Sequence, residues 1–479
     1  MQATKATPKI SLQRSILRAY DIRGVVDESL SPEIAYAIGR AFATIISRKL
    51  SKAHPVIAMA RDGRVSSPAL SNALLQGLLD SGAAIKNTGV GPTPMLYFAA
   101  HHTKADAGIM VTGSHNPPHH NGFKMTLGTK PFYGDLIQEL GDLIEKEDFL
   151  SASGSEEQID IKPIYVERMA SDFKKEGAKS LKVVWDPGNG AAGEITEMVT
   201  KLLPGEHILL NTELDGRFPN HHPDPTVPEN MQQLIDKVLE TKADLGVAFD
   251  GDGDRIGAVD GKGTILWGDQ MMMFFSREIL SRKPGAPIIA DVKASQILFD
   301  DVKKNGGEPI MWKTGHSLIK AKMAETGAAI AGEMSGHIFF ADGYYGFDDG
   351  IYSAVRLLDL VAHSKETLTQ MVDAIPHVYN TPEIRIDVDP ARKFQVVEEI
   401  RDRLKKMQAS GEPIEVNEVD GVRVKAHGGW WLARASNTQS ALIARCEAQD
   451  EKSLEALKQM VISQLKESGI DSDLTSTAH

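Results

Sequence analysis

Short apolar runs alternate with amphipathic stretches through most of this 479-residue chain. Polar or Gly-rich turns follow the apolar runs, and we predict strands at 56–60, 108–111, 183–185, 243–249, 287–290 and 328–331. Between them, apolar residues with helical spacing predict helices at 135–147, 229–241 and 271–283. This alternation is typical of repeated strand–helix units, so we expect α/β domains with mainly parallel sheets.

The last hundred residues follow a different pattern. Two long amphipathic stretches, 391–408 and 451–467, flank three strand-like runs between 421 and 446. This order favours a smaller α+β domain with an antiparallel sheet. Because the chain is too long for one core, we expect four domains, at 1–160, 161–265, 266–377 and 378–479.

Composition restricts the partners and the compartment. The 53 basic and 65 acidic residues leave a net charge of −12, which disfavours nucleic acid and anionic membranes as partners. Cys446 is the only cysteine, so an intramolecular disulfide is excluded and a reducing compartment is favoured. No apolar run approaches the ~18 residues of a membrane span, and the first residues lack the apolar core of a signal peptide. We therefore expect a cytoplasmic protein.

Residues Asp250–Arg255 (DGDGDR) place three carboxylates on alternate positions, with glycines between them. Oxygen ligands of this kind suit magnesium, calcium or manganese rather than zinc or copper, which makes Asp250, Asp252 and Asp254 candidate metal ligands. The loop follows the apolar run 243–249, and ligands of α/β proteins bind at the carboxyl ends of strands. A helix–loop–helix calcium site is disfavoured, because Gly261 stands where that loop needs glutamate.

A second loop, Thr112–Pro118 (TGSHNPP), places Ser114 on a turn after a predicted strand, with His115 and Lys124 close in sequence. A serine hydroxyl in such a position is suited to covalent chemistry. A serine hydrolase is disfavoured, because its nucleophile sits at a strand-to-helix elbow and the prolines here prevent an immediate helix. The alternatives are an ordinary serine turn and a serine that carries phosphate, whose oxygens can complete the coordination of a divalent cation.

A third loop, Gly332–His337 (GEMSGH), has polar residues at alternate positions. If the chain is extended there, Glu333, Ser335 and His337 project from one side. A carboxylate and a hydroxyl on one edge match the hydrogen-bonding needs of vicinal sugar hydroxyls. A polar strand end without function remains the alternative.

A fourth loop, 434–440 (RASNTQS), lies between two strand-like runs. Arg434 offers a planar fork of donors for phosphate, and Ser436, Asn437 and Thr438 add further donors. Short polar residues are also common in any hairpin turn, so the arginine carries this hypothesis.

In this order the four loops resemble the phosphoserine, metal, sugar-recognition and phosphate-binding loops of the α-D-phosphohexomutase superfamily, and the resemblance covers nearly the whole chain. The forms GEMSGH and DGDGDR resemble the bacterial phosphomannomutase/phosphoglucomutase branch. Phosphoglucosamine mutases usually show GEQSGH and DGDADR, so they rank second. Further matching segments are 18–24 (RAYDIRG), 186–190 (DPGNG), 220–225 (NHHPDP) and 313–317 (KTGHS).

The resemblance implies an α/β fold with four domains around a central cleft: three similar mixed α/β sheet domains and a smaller α+β C-terminal domain. It implies Mg²⁺-dependent, reversible phosphoryl transfer between hexose 1-phosphate and hexose 6-phosphate of mannose and glucose. The reaction would pass through a phosphoserine enzyme and a hexose 1,6-bisphosphate, which is both intermediate and activator. Phosphosugars are the expected partners, and the expected state is a monomer or a dimer.

The resemblance also implies residue roles. A phosphoserine oxygen of Ser114 would join the three aspartates around the metal. Catalytic roles are expected for Ser114, His115, Lys124, Arg23, Arg255, Lys293 and His316. Lys293, His316 and His115 are alternatives for the general acid/base. Lys293 would need a neighbouring cation that lowers its pKa, and a structural ion-pair lysine is the other interpretation.

Substrate-binding roles are expected for Tyr20, Glu333, Ser335, His337, Arg434, Ser436, Asn437 and Thr438. Glu333 and Ser335 would hold the 3- and 4-hydroxyls, which have the same configuration in glucose and mannose, so dual specificity follows. Two other functions remain open: a phosphatase with Ser114 as nucleophile and water as acceptor, and a non-catalytic, metal-dependent sugar-binding protein.

Overall fold

The computed structural model describes residues 11–437 and 439–474. Short 3-10 turns lie at Arg14–Ile16 and Pro228–Met231. The elements up to residue 267 are β1 (Ile22–Val25), α1 (Pro32–Leu50), β2 (Val56–Arg61), α2 (Ser67–Asp80), β3 (Ala84–Val90), α3 (Thr93–His102), β4 (Ala107–Val111), β5 (His120–Leu127), β6 (Lys130–Pro131), α4 (Asp135–Lys146), β7 (Ser155–Gln158), α5 (Lys162–Ala170), β8 (Lys182–Asp186), α6 (Gly193–Thr200), β9 (Glu206–Leu209), α7 (Gln232–Thr241), β10 (Leu245–Phe249), β11 (Ile256–Asp260) and β12 (Ile265–Leu266).

The remaining elements are α8 (Gly268–Arg282), β13 (Pro287–Asp291), α9 (Gln296–Lys304), β14 (Glu308–Trp312), α10 (His316–Thr326), β15 (Ile330–Gly332), β16 (Ile338–Phe340), α11 (Gly350–His363), α12 (Leu368–Asp373), β17 (Tyr379–Asn380), β18 (Ile384–Asp387), α13 (Lys393–Ala409), β19 (Glu415–Asn417), β20 (Val422–Ala426), β21 (Gly429–Ala435), β22 (Ala441–Ala448) and α14 (Glu451–Glu467). They form two compact units. Unit 1 comprises the chain up to Trp267 together with Ser335–Thr369, and unit 2 comprises Gly268–Met334 and the chain from Gln370. None of the described helices is long and apolar enough to cross a membrane.

Unit 1 contains two mixed sheets. The first has the order β1-β5-β4-β2-β3-β7, with β6 beside β5, and its strands β2, β3, β4 and β7 are parallel. Helices α1 and α2 approach so closely that a Cβ on Gly39 would stand 2.3 Å from the carbonyl oxygen of Leu74. The second sheet has the order β12-β11-β10-β8-β9, with β8, β9 and β10 parallel. All residues of β4 and β10 are buried, so the loops that follow them start from rigid strands.

Unit 2 contains a parallel and an antiparallel sheet. Strand β13 pairs in parallel with β14 and β15. The C-terminal sheet is antiparallel, in the order β17-β22-β21-β20-β19 with β18 also beside β22. Helices α13 and α14 bury their apolar faces in its core. Three α/β sheets and a smaller C-terminal α+β part confirm the predicted fold class. The exact domain boundaries stay predictions.

Several predicted elements differ from the structure at their ends. The helix predicted at 229–241 begins as the 3-10 turn Pro228–Met231, and only Gln232–Thr241 is α-helical. The strand predicted at 328–331 is Ile330–Gly332, and α8 begins three residues before the predicted 271. Strands β17, β18 and β19 were not predicted, because two to four residues are too few to show an alternating pattern.

Unit 1 also contains a fully buried carboxyl group, that of Asp349, at the N-terminus of α11. One of its oxygens accepts the backbone N–H of Tyr352 at 2.9 Å, and the other accepts the hydroxyls of Tyr165 and Tyr344 at 2.8 and 3.0 Å. Burial raises the pKa of Asp349 to about 7, although these donors oppose the shift. The carboxyl therefore stays protonated in the folded protein at pH values where it ionises in the unfolded chain.

We predict that this residue makes stability fall as pH rises. Because the folded pKa lies above the unfolded value, the ionised form opposes folding from about pH 4 up to pH 7, and the penalty is constant above that. The free energy of unfolding of the wild type relative to Asp349→Asn should therefore fall by about 1.4 kcal/mol per pH unit in that window. Urea unfolding of both proteins from pH 4.5 to 8.5 measures this difference. A difference that does not change with pH would contradict it.

Candidate active site

The metal loop, Asp250–Arg255, turns directly after the buried strand β10. Gly253 has φ +74°, a conformation that glycine adopts without strain. Backbone N–H groups from three other segments bind the loop's carbonyl oxygens: Thr93 to Asp252 at 2.8 Å, Ala191 to Gly251 at 2.9 Å and Gly350 to Gly253 at 3.1 Å. The loop is thus fixed by its surroundings in unit 1 and not only by its own sequence.

The three carboxylates converge as predicted. Asp250, Asp252 and Asp254 are fully buried, and each offers an oxygen within 4.8 Å of the others. The Oδ1 atoms of Asp252 and Asp254 are buried and accept no hydrogen bond from any described residue. Burial and the neighbouring carboxylates raise the pKa of Asp250. Hard oxygen donors with unused lone pairs fit a divalent cation of the magnesium or calcium type.

A lysine from the first sheet already lies against this cluster. The Nζ of Lys124, on β5, donates to Asp252 Oδ2 at 2.7 Å and to a carboxylate oxygen of Asp254. Burial alone would lower the pKa of Lys124, but the charges of Asp252 and Asp254 raise it, so the ammonium keeps its proton. Lys124, which was predicted to be catalytic, therefore contacts two carboxylates of the acidic cluster.

Ser114 lies on the neighbouring loop, after strand β4, and has φ +51°. This left-handed conformation is uncommon for a residue with a side chain, and it is held here by the bond from the Ser114 N–H to Thr112 Oγ1 at 2.8 Å. The serine hydroxyl lies 3.0 Å from His115 Nδ1 and 3.3 Å from Asp250 Oδ2. The two loops are so close that a Cβ on Gly251 would stand 2.5 Å from the Ser114 carbonyl oxygen.

The imidazole of His115 is neutral in this environment. Burial lowers its pKa well below the ordinary value, and the positive charges of Arg255, Arg23 and Lys124 lower it further. A neutral ring nitrogen beside a serine hydroxyl can accept that hydroxyl's proton. Arg23 itself donates from Nε to Asp21 Oδ2 at 2.7 Å.

Arg64 was not identified from the sequence, yet it supports the whole serine loop. Its guanidinium is 1% exposed and donates to four carbonyl oxygens at 2.6–3.1 Å, those of Ser114, Asn116, Pro117 and His120. A Cβ on Gly113 would stand 2.4 Å from its Nε, so glycine is required at that position. The sequence signal was the charged RDGR motif, residues 61–64, which follows the predicted strand 56–60 as the other functional loops follow theirs.

The GEMSGH segment is not extended, so the condition under which Glu333, Ser335 and His337 would project from one side is not met. The strand β15 ends at Gly332, and the chain turns through Gly336, which has φ +88°. In unit 1, His337 lies next to the metal loop: its Nε2 accepts Arg255 Nε at 2.9 Å, and its Nδ1 lies 3.6 Å from Asp254 Oδ1. Ser335 belongs to the same unit.

Lys293 follows strand β13 in unit 2 and is an ion-paired lysine. Its Nζ donates to Glu383 Oε2 at 2.9 Å and lies 3.9 Å from Asp291 Oδ2. Burial alone would lower the pKa of Lys293, but Glu383 and Asp291 raise it. The condition for a general base, a neighbouring cation that lowers this pKa, is not met, because these partners are anions.

Other predicted residues of unit 2 are held by backbone and acidic groups. Glu333 Oε1 accepts the N–H of Gly315 at 2.7 Å. Arg434 donates from Nε to Asp420 Oδ2 at 2.9 Å, and the same oxygen accepts the N–H of Thr314 at 3.0 Å.

The remaining predicted residues have these positions. His316 is the first residue of α10 and is buried, Ser436 is buried at the end of β21, Asn437 is half-buried in the following loop, and Tyr20 is half-buried in the turn before β1. Thr438 lies outside the described residues. Unit 1 thus carries the candidates Tyr20, Arg23, Ser114, His115, Lys124, Arg255, Ser335, His337 and the three aspartates, whereas unit 2 carries Lys293, His316, Glu333, Arg434, Ser436 and Asn437.

Comparison with known proteins identifies related chains over the full length. Four family models of phosphoglucomutase/phosphomannomutase match: alpha/beta/alpha domain I at residues 14–151, domain II at 163–263, domain III at 267–379 and the C-terminal domain at 383–464. A phosphomannomutase/phosphoglucomutase of Pseudomonas aeruginosa is 47% identical, over 97% of this chain and 98% of that protein. A phosphoglucomutase of Neisseria gonorrhoeae is 42% identical, over 94% and 96% of the two chains.

A solved structure shows the same fold. The crystal structure of a phosphoglucomutase/phosphomannomutase family protein from Burkholderia thailandensis is 43% identical and has a TM-score of 0.88. It covers 96% of this chain and 98% of its own.

We predict that Arg64→Lys loosens the serine loop. One ammonium cannot replace a guanidinium that serves four carbonyl oxygens, so the free energy of unfolding should fall by about 2–4 kcal/mol. Hydrogen–deuterium exchange should become faster for the amides of Asn116 and His120, which close turns in that loop. The matched control is Arg61→Lys, since Arg61 is half-buried and bonds a single carbonyl, that of Asp62. Equal exchange in the two variants would contradict the role of Arg64.

Proposed function

Because the chain belongs to the phosphoglucomutase/phosphomannomutase family, we propose that it interconverts the 1-phosphates and 6-phosphates of mannose and glucose through a phosphoserine at position 114. One observation carries the proposal: the Ser114 hydroxyl lies within 3.3 Å of Asp250, at the edge of a buried cluster of three carboxylates and a lysine. Such a site combines a nucleophile with the charges that phosphoryl transfer requires.

The proposed reaction consists of two transfers. In the first, the bond between phosphorus and Ser114 Oγ breaks while a bond forms to a free hydroxyl oxygen of the hexose phosphate. The product is a hexose 1,6-bisphosphate, and the proton lost by the sugar hydroxyl is balanced by the one gained at Ser114. The bisphosphate then reverses its orientation. In the second transfer, the bond between the other phosphorus and its sugar oxygen breaks while a bond forms to Ser114 Oγ. The proton lost by Ser114 is balanced by the one gained at that sugar oxygen, and the phosphate has changed its position on the sugar.

Proton transfer at the serine is assigned to His115. Its neutral ring lies 3.0 Å from the hydroxyl and takes the serine proton when Oγ attacks, then returns it when the enzyme is phosphorylating the sugar. For proton transfer at the sugar hydroxyl, Lys293 and His316 stay the candidate general acid/base residues. The raised pKa of Lys293 keeps its ammonium protonated, which disfavours it as a proton acceptor.

Asp250, Asp252 and Asp254 would hold Mg²⁺ together with a phosphoserine oxygen. When bound, the ion would neutralise charge on the transferring phosphoryl group. Lys124 and Arg255 supply further positive charge from the protein itself. Glu333 of unit 2 and Ser335 of unit 1 would recognise sugar hydroxyls, and Arg434 with Ser436 and Asn437 of unit 2 would bind the phosphate that does not react.

We predict that Ser114→Ala abolishes isomerisation, with a loss of at least about a thousandfold in kcat, because the residue that carries the phosphoryl group is gone. Intact mass should show one phosphate on the wild type after incubation with hexose 1,6-bisphosphate and none on the variant. Ser171→Ala, at an exposed serine, is the control.

The same assay separates the other functions. Free phosphate as the main product, measured by ³¹P NMR, would favour a phosphatase. An unphosphorylated wild type that binds but does not convert the sugar would indicate a binding protein. Full activity in Ser114→Ala would reject the mutase mechanism.

We predict similar use of glucose 1-phosphate and mannose 1-phosphate, because the proposed contacts are to hydroxyls that the two sugars share. The ratio of their kcat/KM values should stay below about a thousandfold. Glu333→Gln should lower both values about 10–100-fold while preserving that ratio, because a charge-assisted hydrogen bond is lost with either sugar. Glu325→Gln, at an exposed ion pair with Lys322 on α10, is the matched control. Preferred conversion of glucosamine 1-phosphate would instead indicate a phosphoglucosamine mutase.

A further inference from the structure

Two loops of unit 1 contain none of the candidate site residues, yet both bond the metal loop. We call residues 186–191 the first support loop and residues 220–225 the second support loop. The N–H of Gly251 donates to the carbonyl of Pro223 at 3.1 Å, and the carbonyl of Gly251 accepts the N–H of Ala191 at 2.9 Å. Both polar groups of this backbone unit, which lies between two candidate metal ligands, are therefore bonded by the support loops.

The contacts around Gly251 leave no room for a side chain. A Cβ on Gly251 would stand 2.5 Å from the carbonyl oxygen of Ser114 and 3.3 Å from Pro223 Cγ. A Cβ on Gly190, in the first support loop, would stand 2.8 Å from the carbonyl oxygen of Gly251. Because close-packed atoms transmit small displacements, a shift of either support loop changes the position of the metal loop against the serine loop.

An aspartate and a histidine join the two support loops. Asp186 ends β8 and is fully buried, and its Oδ2 lies 2.9 Å from Nε2 of His221. Its Oδ1 accepts the N–H of Gly188 and the side-chain amide of Asn211, each at 2.9 Å. On the other side of the ring, His221 Nδ1 lies 3.1 Å from the carbonyl oxygen of His222.

The partners of the ring indicate an imidazolium. A carboxylate faces Nε2 and a carbonyl oxygen faces Nδ1, and both are acceptors, so a proton on each nitrogen satisfies both. The amide nitrogen of Asn211 also lies 3.5 Å from Nε2, but it has closer acceptors in Asp186 Oδ1 and, at 3.1 Å, in Gln233 Oε1. Burial alone would lower the pKa of His221, but the hydrogen bond and the charge of Asp186 raise it. An ion pair therefore joins the two support loops.

We infer that Asp186 and His221 are positioning residues, which fix the backbone of Gly251 through the two support loops and so keep the metal loop aligned with Ser114. The effect on turnover rests on the proposed mutase function, whereas the effect on the metal loop does not. His221→Ala removes the cation with both of its donors and loosens the second support loop. Asp186→Asn keeps the shape and the oxygen acceptor for Gly188 but removes the negative charge.

The experiment is hydrogen–deuterium exchange, followed by mass spectrometry, of the protein without added metal. In His221→Ala, we expect the amides of Gly251 and Ala191 to exchange at least about tenfold faster than in the wild type. Asp186→Asn should show a smaller increase at the same amides. The matched control is His207→Ala, because His207 on β9 is also half-buried and its Nδ1 accepts Trp185 Nε1 at 3.1 Å. The control should leave the exchange at Gly251 within about twofold of the wild type.

Three further measurements separate positioning from a general loss of stability. The affinity for Mn²⁺, measured by electron paramagnetic resonance, should be about tenfold weaker in His221→Ala. The kcat of that variant should be about 10–100-fold lower, with a smaller change in KM. The pKa of His221, measured by NMR, should lie above the ordinary histidine value in the wild type and should be lower in Asp186→Asn, because the carboxylate that stabilises the imidazolium is lost.

Equal exchange at Gly251 in His221→Ala and His207→Ala would overturn the inference, and so would a pKa of His221 that Asp186→Asn does not lower. If His221→Ala does not fold, the comparison of Asp186→Asn with His207→Ala decides in the same way. Faster exchange at Gly251 in the variants of a protein whose wild type does not isomerise hexose phosphates would reject the proposed function and leave the positioning role in place. A wild type that isomerises the sugars, with exchange at Gly251 unchanged in both variants, would do the reverse.

Discussion

Repulsion between buried carboxylates is the constraint on which the site depends. Asp250, Asp252 and Asp254 lie within 4.8 Å of one another with no exposed surface, and charges in such surroundings need partners of opposite sign. Lys124 supplies one positive charge in direct contact with two of them. Because that lysine comes from β5 and the aspartates follow β10, the charge balance joins the two sheets of unit 1. Three carboxylates with one ammonium still leave negative charge, which is the condition under which a divalent cation binds favourably.

The second requirement is that the serine and metal loops be rigid, because phosphoryl transfer depends on alignment. The structure meets it with backbone contacts that only small residues allow. Gly251 lies against the Ser114 carbonyl, and Gly113 lies against Arg64. Arg64 donates hydrogen bonds to carbonyl oxygens of the serine loop, which would otherwise be buried without partners. The strained φ of Ser114 is stable only because these contacts surround it.

Part of the fold and of the candidate site could be predicted from the sequence. There is a physical reason why the other residues were missed. Helices α4, α7, α8, α13 and α14 were predicted near their observed positions, because an amphipathic stretch has a local sequence signal, whereas α1, α2 and α11 were not predicted. The metal loop was recognised because its three candidate ligands, Asp250, Asp252 and Asp254, lie within five consecutive residues. Arg64 was not recognised, because its role arises from bonds to a loop about 50 positions away, and the charged RDGR motif alone does not reveal those partners. The GEMSGH segment was considered as an extended chain, but it turns at Gly336, and the alternation of polar residues does not reveal such a turn.

The surroundings of Lys293 and of His115 shift their pKa values in opposite directions, and this difference bears on which group can move a proton. In unit 2, Lys293 faces Glu383 and Asp291, and its positive charge is balanced within the protein. In unit 1, His115 is kept neutral by burial and by the surrounding cations. A lysine balanced by carboxylates holds its proton, whereas a histidine surrounded by cations releases it. The protein therefore stabilises the charged form of Lys293 and the neutral form of His115. Of the candidates whose pKa shift has a resolved direction, His115 is the one prepared to accept a proton.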